Sequence, residues 1–461
     1  MKSKRCRLFI CFALALTVFA GARFAAAADD LFEELVTVTE DGFGVAWETA
    51  ESGPTVLYYG DSPNDLQPWD DTGAPPSRHH LVVVTGLASD TLYYYSTTAP
   101  RRETVDNPFS PGQVRTLKTP PGEYLFSFAT VNDTHVGETV AGLIVIGDFS
   151  LTPGFTWPDP NNPYWLFTNE QAVQQINALG ADFVIHKGDV SSEAEEQQFI
   201  DAQTIFSALD APIYYARGNH DRPQDDHDYF EEVLGITVTH SYFDHDPLRL
   251  IIMDTNDPLG LGDPADDQLA WLKTVLDDAQ AQGLRAMIFA HQTFALKGGF
   301  PWSVDPADAK ALAELLTNYP NFVGMFAGHS HRAKVNYVDQ TAWVPYVETP
   351  ATKEYPLGFA YYRVYEGGYV QSFYREACED CLEWCSMTRG EYFGLAPWIM
   401  FGKTEDRNFT VIYPDDDTAD DDSTPDDDNT SDDDAASDDD TIDDDATAPS
   451  GDNGDNSGCG C

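Results

Sequence analysis

The sequence predicts a small all-β sandwich domain followed by an α/β domain, in which helices flank a layered β-sheet sandwich. Two regions with different sequence patterns support this prediction. Residues 29–118 contain short strands rich in β-branched and aromatic side chains, with turn-forming stretches between them. Residues 122–375 instead alternate apolar strands with longer helical stretches, which is typical of helices covering a central sheet.

Four strands are predicted in the first region, each with the composition of a strand on a packed sheet. The segment GVAWE at 44–48 and the segment TVLYY at 55–59 are the clearest examples. Further strands are predicted at 81–84 and 91–95. Short strands at this spacing indicate a small sandwich.

Six strands and four helices are predicted in the second region. Each strand is a short apolar run, and the helices fill the stretches between them. The predicted strands are 124–131, 183–185, 213–216, 248–253, 286–290 and 322–327, and the predicted helices are 169–178, 195–209, 266–282 and 305–317.

The composition is strongly acidic. Among 461 residues there are 26 Lys and Arg against 77 Asp and Glu, which gives a formal net charge of −51. Contacts to a phosphate backbone require clustered Lys and Arg. We therefore expect no nucleic-acid polymer as a partner.

The N-terminal residues 1–28 have the pattern of a secretory signal peptide. A basic start precedes the apolar run 8–22, and small residues at 25–28 suit cleavage. An apolar run of 15 residues is short for the hydrocarbon core of a bilayer, which spans about 30 Å. The sequence therefore predicts a protein that is secreted, periplasmic or at the cell surface, with no transmembrane segment.

Beyond the α/β domain, two C-terminal segments are predicted. Residues 376–414 form an extension with cysteines at 378, 381 and 385, which suggest either a local disulfide with one thiol left over or three of four zinc ligands. Cys459 and Cys461 are further candidate disulfide partners. Residues 415–461 carry 20 Asp and no Lys, Arg or Glu, so we expect a disordered spacer whose terminal cysteines suggest surface attachment.

Polar side chains follow five of the predicted strands of the α/β domain. Ligands of open α/β sheets gather at the carboxyl ends of strands, so we expect these side chains to meet at one edge. They are Asn132, Asp133 and His135 after the first strand, Asp189 after the second, Asn219, His220 and Asp221 after the third, His291 after the fifth, and His329 and His331 after the sixth.

Imidazole and carboxylate groups in this number suit two divalent or trivalent metal ions. They favour Fe, Mn or Zn over Ca, and a carboxylate can bridge two ions with its two oxygens. A glycine precedes Asp189, Asn219 and His329, which allows the backbone to turn tightly beneath the ligands.

In this order the motifs resemble the calcineurin-like metallophosphoesterase superfamily, over about residues 124–365. The resemblance implies a first metal held by Asp133, His135 and His331, a second held by Asn219, His291 and His329, and Asp189 as the bridge between them. It also implies that His220 is not a ligand. His220 would contact the substrate phosphate or protonate the leaving oxygen, with Asp221 orienting its ring.

The activity implied by the resemblance is hydrolysis of a small phosphate ester, either a monoester or a diester. Two cations polarise the phosphoryl oxygens and lower the pKa of a bridging water, and the resulting hydroxide attacks phosphorus opposite a proton donor. A surface binding module without activity and an extracellular nuclease or nucleotidase stay open as alternatives. The complete ligand set disfavours the binding module.

The first region resembles a fibronectin type III domain, in particular the N-terminal domain of purple acid phosphatases. This resemblance is carried by Trp47 and by the pattern Leu87-x3-Thr91-x-Tyr93. The catalytic motifs depart from those enzymes, which have a tyrosine three residues after the bridging aspartate where this chain has Ser192. We therefore expect His135 to replace that tyrosine as a ligand, and no charge-transfer colour.

Two segments near the motifs are candidates for the rim of the site. In the stretch 155–167, Trp157, Tyr164 and Trp165 suit either stacking on a substrate ring or anchoring of the loop to the sheet. The stretch 294–302 follows His291. Arg217 and Arg222 flank the third motif, where salt bridges within this acidic protein are the expected use.

Overall fold

The computed structural model describes residues 31–414, with gaps at 71–74, 98–110, 147–148, 225, 257–265, 295–302 and 339–340. The predicted signal peptide at 1–28 and the predicted acidic tail at 415–461, including Cys459 and Cys461, therefore lie outside the described residues. Among the helices of the described part, none is both long and apolar enough to cross a membrane.

The N-terminal region is a sandwich of two antiparallel sheets, as predicted. One sheet has the strand order β1-β2-β5 and the other the order β4-β3-β6-β7. Buried residues from both sheets, among them Phe43, Trp47, Leu57 and Tyr95, form one core between them. The strands are β1 (Glu33–Val38), β2 (Gly42–Gly53), β3 (Val56–Gly60), β4 (Gln67–Asp70), β5 (Ser77–Thr85), β6 (Leu92–Ser96) and β7 (Gly112–Arg115).

The following region contains two six-stranded mixed sheets. The first contains strands β8 (Tyr124–Val131), β11 (Phe183–His186), β12 (Ile213–Tyr215), β19 (Gly358–Tyr365), β20 (Gly368–Arg375) and β21 (Phe409–Ile412). The second contains β13 (Ser241–His245), β14 (Leu248–Ile252), β15 (Arg285–Phe289), β16 (Phe322–Ala327), β17 (Lys334–Val338) and β18 (Thr341–Glu348). The short strands β9 (Val145–Ile146) and β10 (Phe149–Ser150) form a separate hairpin.

The strand orders are β12-β11-β8-β19-β20-β21 in the first sheet and β13-β14-β15-β16-β18-β17 in the second. Aromatic side chains from both sheets fill the space between them. Phe128 and Tyr362 of the first sheet stack at 4.4 Å between ring centroids, and Phe289 and Phe326 of the second sheet pack against them. The two sheets therefore form the predicted layered sandwich.

Helices cover the outer face of each sheet. Helices α1 (Tyr164–Leu179), α2 (Glu196–Phe206) and α3 (Tyr229–Leu234) share a core with the first sheet. Helices α4 (Asp266–Ala281) and α5 (Pro306–Leu316) share one with the second. The α/β fold with flanking helices is confirmed.

The residues from 376 to 414 contain four short helices and the strand β21. The helices are α6 (Glu379–Thr388), α7 (Glu391–Gly394), α8 (Ala396–Ile399) and α9 (Thr404–Arg407), and β21 completes the edge of the first sheet. Cys378 and Cys381 form a disulfide at the start of α6, and Cys385 is a buried free thiol. Of the two alternatives for this cluster, the local disulfide with one remaining thiol is the one observed.

A single asparagine ties three distant parts of the chain together. Asn408 Oδ1 accepts hydrogen bonds from the backbone N–H of Val38 (3.1 Å) and of Phe373 (2.9 Å). Its Nδ2 donates to the carbonyl oxygen of Val36 at 3.0 Å. Asn408 therefore links β1 of the sandwich, β20 of the first sheet and the C-terminal segment.

Candidate metal centre

The seven predicted metal ligands meet at the carboxyl ends of parallel strands. Strands β8, β11 and β12 run parallel in the first sheet, as do β14, β15, β16 and β18 in the second. Their ends therefore lie at one edge, where the loops turn. The loop after β8 supplies Asp133 and His135, those after β11 and β12 supply Asp189 and Asn219, and those after β15 and β16 supply His291, His329 and His331.

One group of potential ligands consists of Asp133, His135 and His331, whose donor atoms all lie within 4.8 Å of one another. His331 Nε2 lies 3.2 Å from Asp133 Oδ1. His135 Nε2 points instead towards Asp189 Oδ2 at 3.5 Å. This group coincides with the ligand set predicted for the first metal.

A second group consists of Asp189, His291 and His329. His291 Nε2 lies 3.1 Å from Asp189 Oδ2 and 3.1 Å from Asn219 Oδ1, and His329 Nδ1 lies 3.2 Å from His291 Nε2. Asp189 faces both groups, which is the position required of a bridging carboxylate.

The backbone of most of these residues is in the left-handed region. Such φ values are uncommon for residues other than glycine, and they persist where the surrounding structure holds them at functional sites. The values are 51° for Asp133, 40° for His135, 52° for Asp189, 65° for His329 and 53° for His331.

The glycines next to the ligands serve two different purposes. Gly188 has φ of +90°, a turn conformation that a side chain would strain. Gly218 has φ of −102°, which any residue adopts. A Cβ at Gly218 would lie 2.1 Å from the backbone nitrogen of Asp189, so close approach explains this glycine.

The buried polar atoms of the centre fit bound cations. Nε2 of His135 and Nε2 of His329 are buried without a hydrogen-bond partner. An unpartnered buried polar atom is costly, and coordination of a cation removes that cost. With the carboxylates of Asp133 and Asp189, the donor set suits two ions of the Fe, Mn or Zn type.

The buried charges of the centre depend on each other. Burial alone raises the pKa of Asp189, but the charges of His291 and His220 outweigh burial and hold that pKa well below its ordinary value. Burial lowers the pKa of His291, but Asp189 outweighs this effect and raises that pKa to about 9. For His135, burial dominates and lowers the pKa to about 4.

His220 lies beside both groups, and its ring is oriented by a backbone carbonyl. His220 Nδ1 donates to the carbonyl oxygen of Ser192 at 2.6 Å, while its backbone N–H donates to Asp189 Oδ1 at 2.8 Å. A carbonyl oxygen only accepts, so Nδ1 carries the proton and Nε2 is the nitrogen left for a substrate. The ring centroid lies 4.5 Å from that of His135.

The predicted role of Asp221 is wrong. Its carboxylate accepts hydrogen bonds from the backbone N–H groups of Val190 (3.1 Å), Ser191 (2.9 Å) and Gly218 (3.0 Å), and no hydrogen bond joins it to the His220 ring. Burial, followed by the charge of Asp189, raises the pKa of Asp221 to about 6. Asp221 therefore connects the loops after β11 and β12 and does not orient the histidine.

Asn132 hydrogen-bonds a predicted ligand, and two rings of the aromatic segment pack on a residue of α6. Asn132 Nδ2 donates to Asp133 Oδ2 at 2.6 Å. Tyr164 stacks on Trp384 of α6 at 4.3 Å between centroids, and Trp157 packs edge-on against the same indole at 6.1 Å. These two aromatic rings anchor their segment to the protein, as in the second predicted use, but to helix α6 and not to the sheet.

Arg217 is paired within the protein, as expected for this residue, because its Nη2 lies 2.7 Å from Asp228 Oδ2. Most of the stretch 294–302, the other candidate rim segment, lies outside the described residues.

Sequence reasoning missed four charged residues behind the ligands, of which Lys187, Lys353 and Glu354 are buried and Glu138 is partly buried. Lys187 Nζ donates to Thr349 Oγ1 at 2.6 Å, and burial lowers its pKa to about 7. Glu138, Lys353 and Glu354 lie next to His135 and His331. Lys187 directly precedes the Gly188-Asp189 motif, so its position in the sequence is a signal that could have identified it, whereas residues 353–354 lie far from every motif.

The region that carries the predicted ligands is similar to known proteins. Residues 126–333 match the family model described as calcineurin-like phosphoesterase. This region of the chain is therefore similar in sequence to the calcineurin-like phosphoesterase family.

One curated relative and two solved structures illustrate the similarity. The chain is 25% identical over 171 residues to the "Probable glycerophosphodiester phosphodiesterase GpdQ" of Arcobacter nitrofigilis, a match that spans 35% of this chain and 59% of the relative. A dimetal phosphatase from Danio rerio aligns with a TM-score of 0.44 and 14% identity, over 63% of this chain and 100% of that one. The purple acid phosphatase PPD1 of yellow lupin, Lupinus luteus, gives 0.37 and 14%, over 75% and 72%.

Proposed function

We propose that this protein is an exported binuclear-metal phosphoesterase that hydrolyses small phosphomonoesters or phosphodiesters. The observation that carries the proposal is that the two ligand groups meet at Asp189, which belongs to the second group and lies 3.5 Å from His135 of the first. His220 forms a further potential ligand group with His135 and Asp189. Asp133, His135 and His331 would hold one ion, and Asn219, His291 and His329 the other. When bound, two such ions polarise phosphoryl oxygens and lower the pKa of a water molecule.

The protein's own residues supply a proton donor and fix its position. The Ser192 carbonyl oxygen holds Nδ1–H of His220 at 2.6 Å, so in the imidazolium form the second proton, on Nε2, is the one available to the leaving oxygen of the ester. The backbone N–H of His220 donates to Asp189 at 2.8 Å, which fixes the donor relative to the bridging carboxylate. Asn132 holds the other carboxylate, Asp133, from behind.

Export is supported by two observations. The pattern at 1–28 is typical of a secretory signal, and the disulfide between Cys378 and Cys381 suits an oxidising compartment. Attachment to a surface through the C-terminal cysteines remains part of the proposal.

The test uses the mature chain loaded with Mn, Fe or Zn. Rates would be compared on p-nitrophenyl phosphate, bis-p-nitrophenyl phosphate and glycerophosphocholine, the last because the curated relative is named as a glycerophosphodiester phosphodiesterase. We expect turnover of at least one ester that is abolished by a chelator and by Asp189→Asn. The matched control is Asp90→Asn, at a surface turn with φ of 50° that asparagine tolerates. Full metal occupancy without turnover of any of the three esters would refute the proposal.

A further inference from the structure

Behind the first ligand group lies a buried cluster of Glu138, Lys353 and Glu354, which we name the Glu–Lys–Glu bridge. Lys353 Nζ lies 3.3 Å from Glu354 Oε2 and in contact with Glu138 Oε2. The Lys353 and Glu354 side chains are 3% and 1% exposed, so both charges are withdrawn from water. Buried charges at this depth need partners, and each member of the bridge supplies one for another.

The bridge contacts the outer nitrogen of His331. His331 directs Nε2 towards Asp133 at 3.2 Å and Nδ1 towards Glu354 Oε1 at 2.6 Å. A carboxylate on the far nitrogen of a ligating histidine fixes the tautomer and the ring orientation, and it raises the basicity of the other nitrogen.

His135 is placed in the same way from another strand. It directs Nε2 towards Asp189 at 3.5 Å and Nδ1 towards Glu138 Oε1 at 3.6 Å. The distance between His135 Nδ1 and Glu138 Oε1 is within the range of an ion pair but is longer than a hydrogen bond. Two histidines from loops almost 200 residues apart in sequence are thus backed by two carboxylates joined through one lysine.

The second ligand group has a different backing. His291 Nδ1 donates to the backbone carbonyl oxygen of Lys187 at 2.9 Å. His329 Nδ1 faces His291, and its Nε2 has no hydrogen-bond partner. Among the described residues, carboxylate backing of an outer imidazole nitrogen is therefore seen in the first group and not in the second.

The bridge is in turn held by α1 and α6. Tyr164 of α1 donates its hydroxyl to Glu138 Oε2 at 2.6 Å. Trp384 of α6 donates Nε1–H to the backbone carbonyl oxygen of Lys353 at 2.7 Å, and the two aromatic rings stack on each other. The C-terminal extension therefore supports the bridge directly.

From this asymmetry we infer that the Glu–Lys–Glu bridge is a positioning element for one of the two metal positions, that of Asp133, His135 and His331. Glu354 and Glu138 act through the two imidazoles, and Lys353 keeps the two carboxylates together. The inference rests on the proposed function for the existence of two metal positions, and it adds residues that set the affinity of one of them.

The test is a titration of the metal-free protein with Mn²⁺, followed by calorimetry and by the metal content after dialysis. Glu354→Gln keeps a hydrogen-bond acceptor but removes the charge. Loss of a residue behind a metal ligand typically weakens metal binding about 10- to 100-fold. For Glu354→Gln we expect the affinity for Mn²⁺ to fall by this factor at one of the two sites and to stay unchanged at the other. Glu354→Asp should restore part of the lost affinity.

The matched control is Glu348→Gln, because Glu348 pairs with Arg332 next to His331 but contacts no imidazole. It should bind two Mn²⁺ as the unmodified protein does. Equal weakening of both sites in Glu354→Gln, or no weakening in a protein that unfolds at the same urea concentration as its parent, would overturn the inference. If Glu354→Gln does not fold, Glu138→Gln gives the same test at a more exposed position, with 18% side-chain exposure.

Failure of the proposed function is a separate outcome. A protein that binds two Mn²⁺ tightly but hydrolyses no ester refutes the phosphoesterase activity and leaves the bridge intact. Active enzyme whose two sites respond equally to Glu354→Gln refutes the bridge and leaves the activity.

Discussion

Replacement of Gly218 by alanine should impair the candidate metal centre, because the added methyl group would clash with Asp189. The backbone φ of Gly218 is −102°, so alanine causes no conformational strain there. A Cβ would nevertheless lie 2.1 Å from the backbone nitrogen of Asp189 and 2.2 Å from its Oδ1. Ordinary contact begins at 3.4 Å, so Asp189 must move by about 1 Å or more.

A shift of about 1 Å in a reacting group costs roughly 10²-fold in rate. We therefore expect Gly218→Ala to lower kcat/KM on the best ester by about 10²-fold or more, and to weaken Mn²⁺ binding because Asp189 faces both groups. Steady-state kinetics and the metal content of the protein measure these two effects. The control is Gly53→Ala, where the added methyl group meets nothing within 4 Å. A Gly218→Ala variant with the parent's rate and two bound ions would refute the argument.

Three further predictions concern single side chains. His220→Ala should retain both metals while kcat falls by about 10²- to 10⁴-fold, the usual range for loss of a general acid. Asp221→Asn should destabilise the fold by about 1–3 kcal/mol in urea unfolding, because an amide NH₂ would face backbone N–H donors. Glu34→Gln should cost about 3–5 kcal/mol, because it leaves Arg375 buried without its carboxylate at 2.8 Å.

Each of these has a distinct contrary outcome. Loss of metal from His220→Ala would identify that histidine as a ligand, and an Asp221→Asn protein as stable as its parent would show that those N–H groups find other acceptors.

For Glu34, burial raises the pKa, but Arg389 and Arg375 outweigh it and bring the pKa to about 2. Its stabilisation is therefore present above its ordinary pKa of 4.5 and is lost as the pH falls towards 2.

The corresponding surface pair provides the control for Glu34. Glu48→Gln removes the partner of the exposed Arg78, which should cost about 1 kcal/mol or less. If Glu34→Gln costs no more than Glu48→Gln, and its stability falls with pH as steeply as that of the parent, the interpretation of the buried pair is wrong.

The ligand positions were predictable because each follows an apolar strand whose composition is visible locally. Strands such as 124–131 and 322–327 match the observed β8 and β16 at both ends. Parallel pairing then brings their ends to one edge without further information. The left-handed φ values of the ligands leave no such local signal, since they arise from loops held by distant partners.

The strands near the C-terminus were not predictable by the same pattern. All eight residues of β20, GYVQSFYR, are buried, so polar and apolar positions do not alternate between solvent and core. Its polar members find partners far away in sequence: Ser372 Oγ donates to the Val38 carbonyl oxygen, and Arg375 pairs with Glu34. The Glu–Lys–Glu bridge escaped prediction for the same reason, because its contacts join residues about 215 positions apart.

Asp221 shows that two residues next to each other in sequence need not act together. His220 and Asp221 are consecutive in a short 3₁₀ turn, Asn219–Asp221, and their side chains leave it in different directions. One reaches the carbonyl of Ser192, and the other reaches the backbone of Val190 and Ser191.

The three-way contact of Asn408 bears on how the protein can be divided. An enzyme trimmed to begin after the sandwich would leave the Asn408 amide without the carbonyl of Val36, and one trimmed before residue 408 would leave the N–H groups of Val38 and Phe373 without their acceptor. The first cut leaves a side-chain N–H and the second leaves backbone N–H groups unsatisfied against the same sheet that carries Asp133 and Asp189. Strand β1 and the segment that leads into β21 therefore stabilise each other, and the sheet that carries the predicted ligands depends on both.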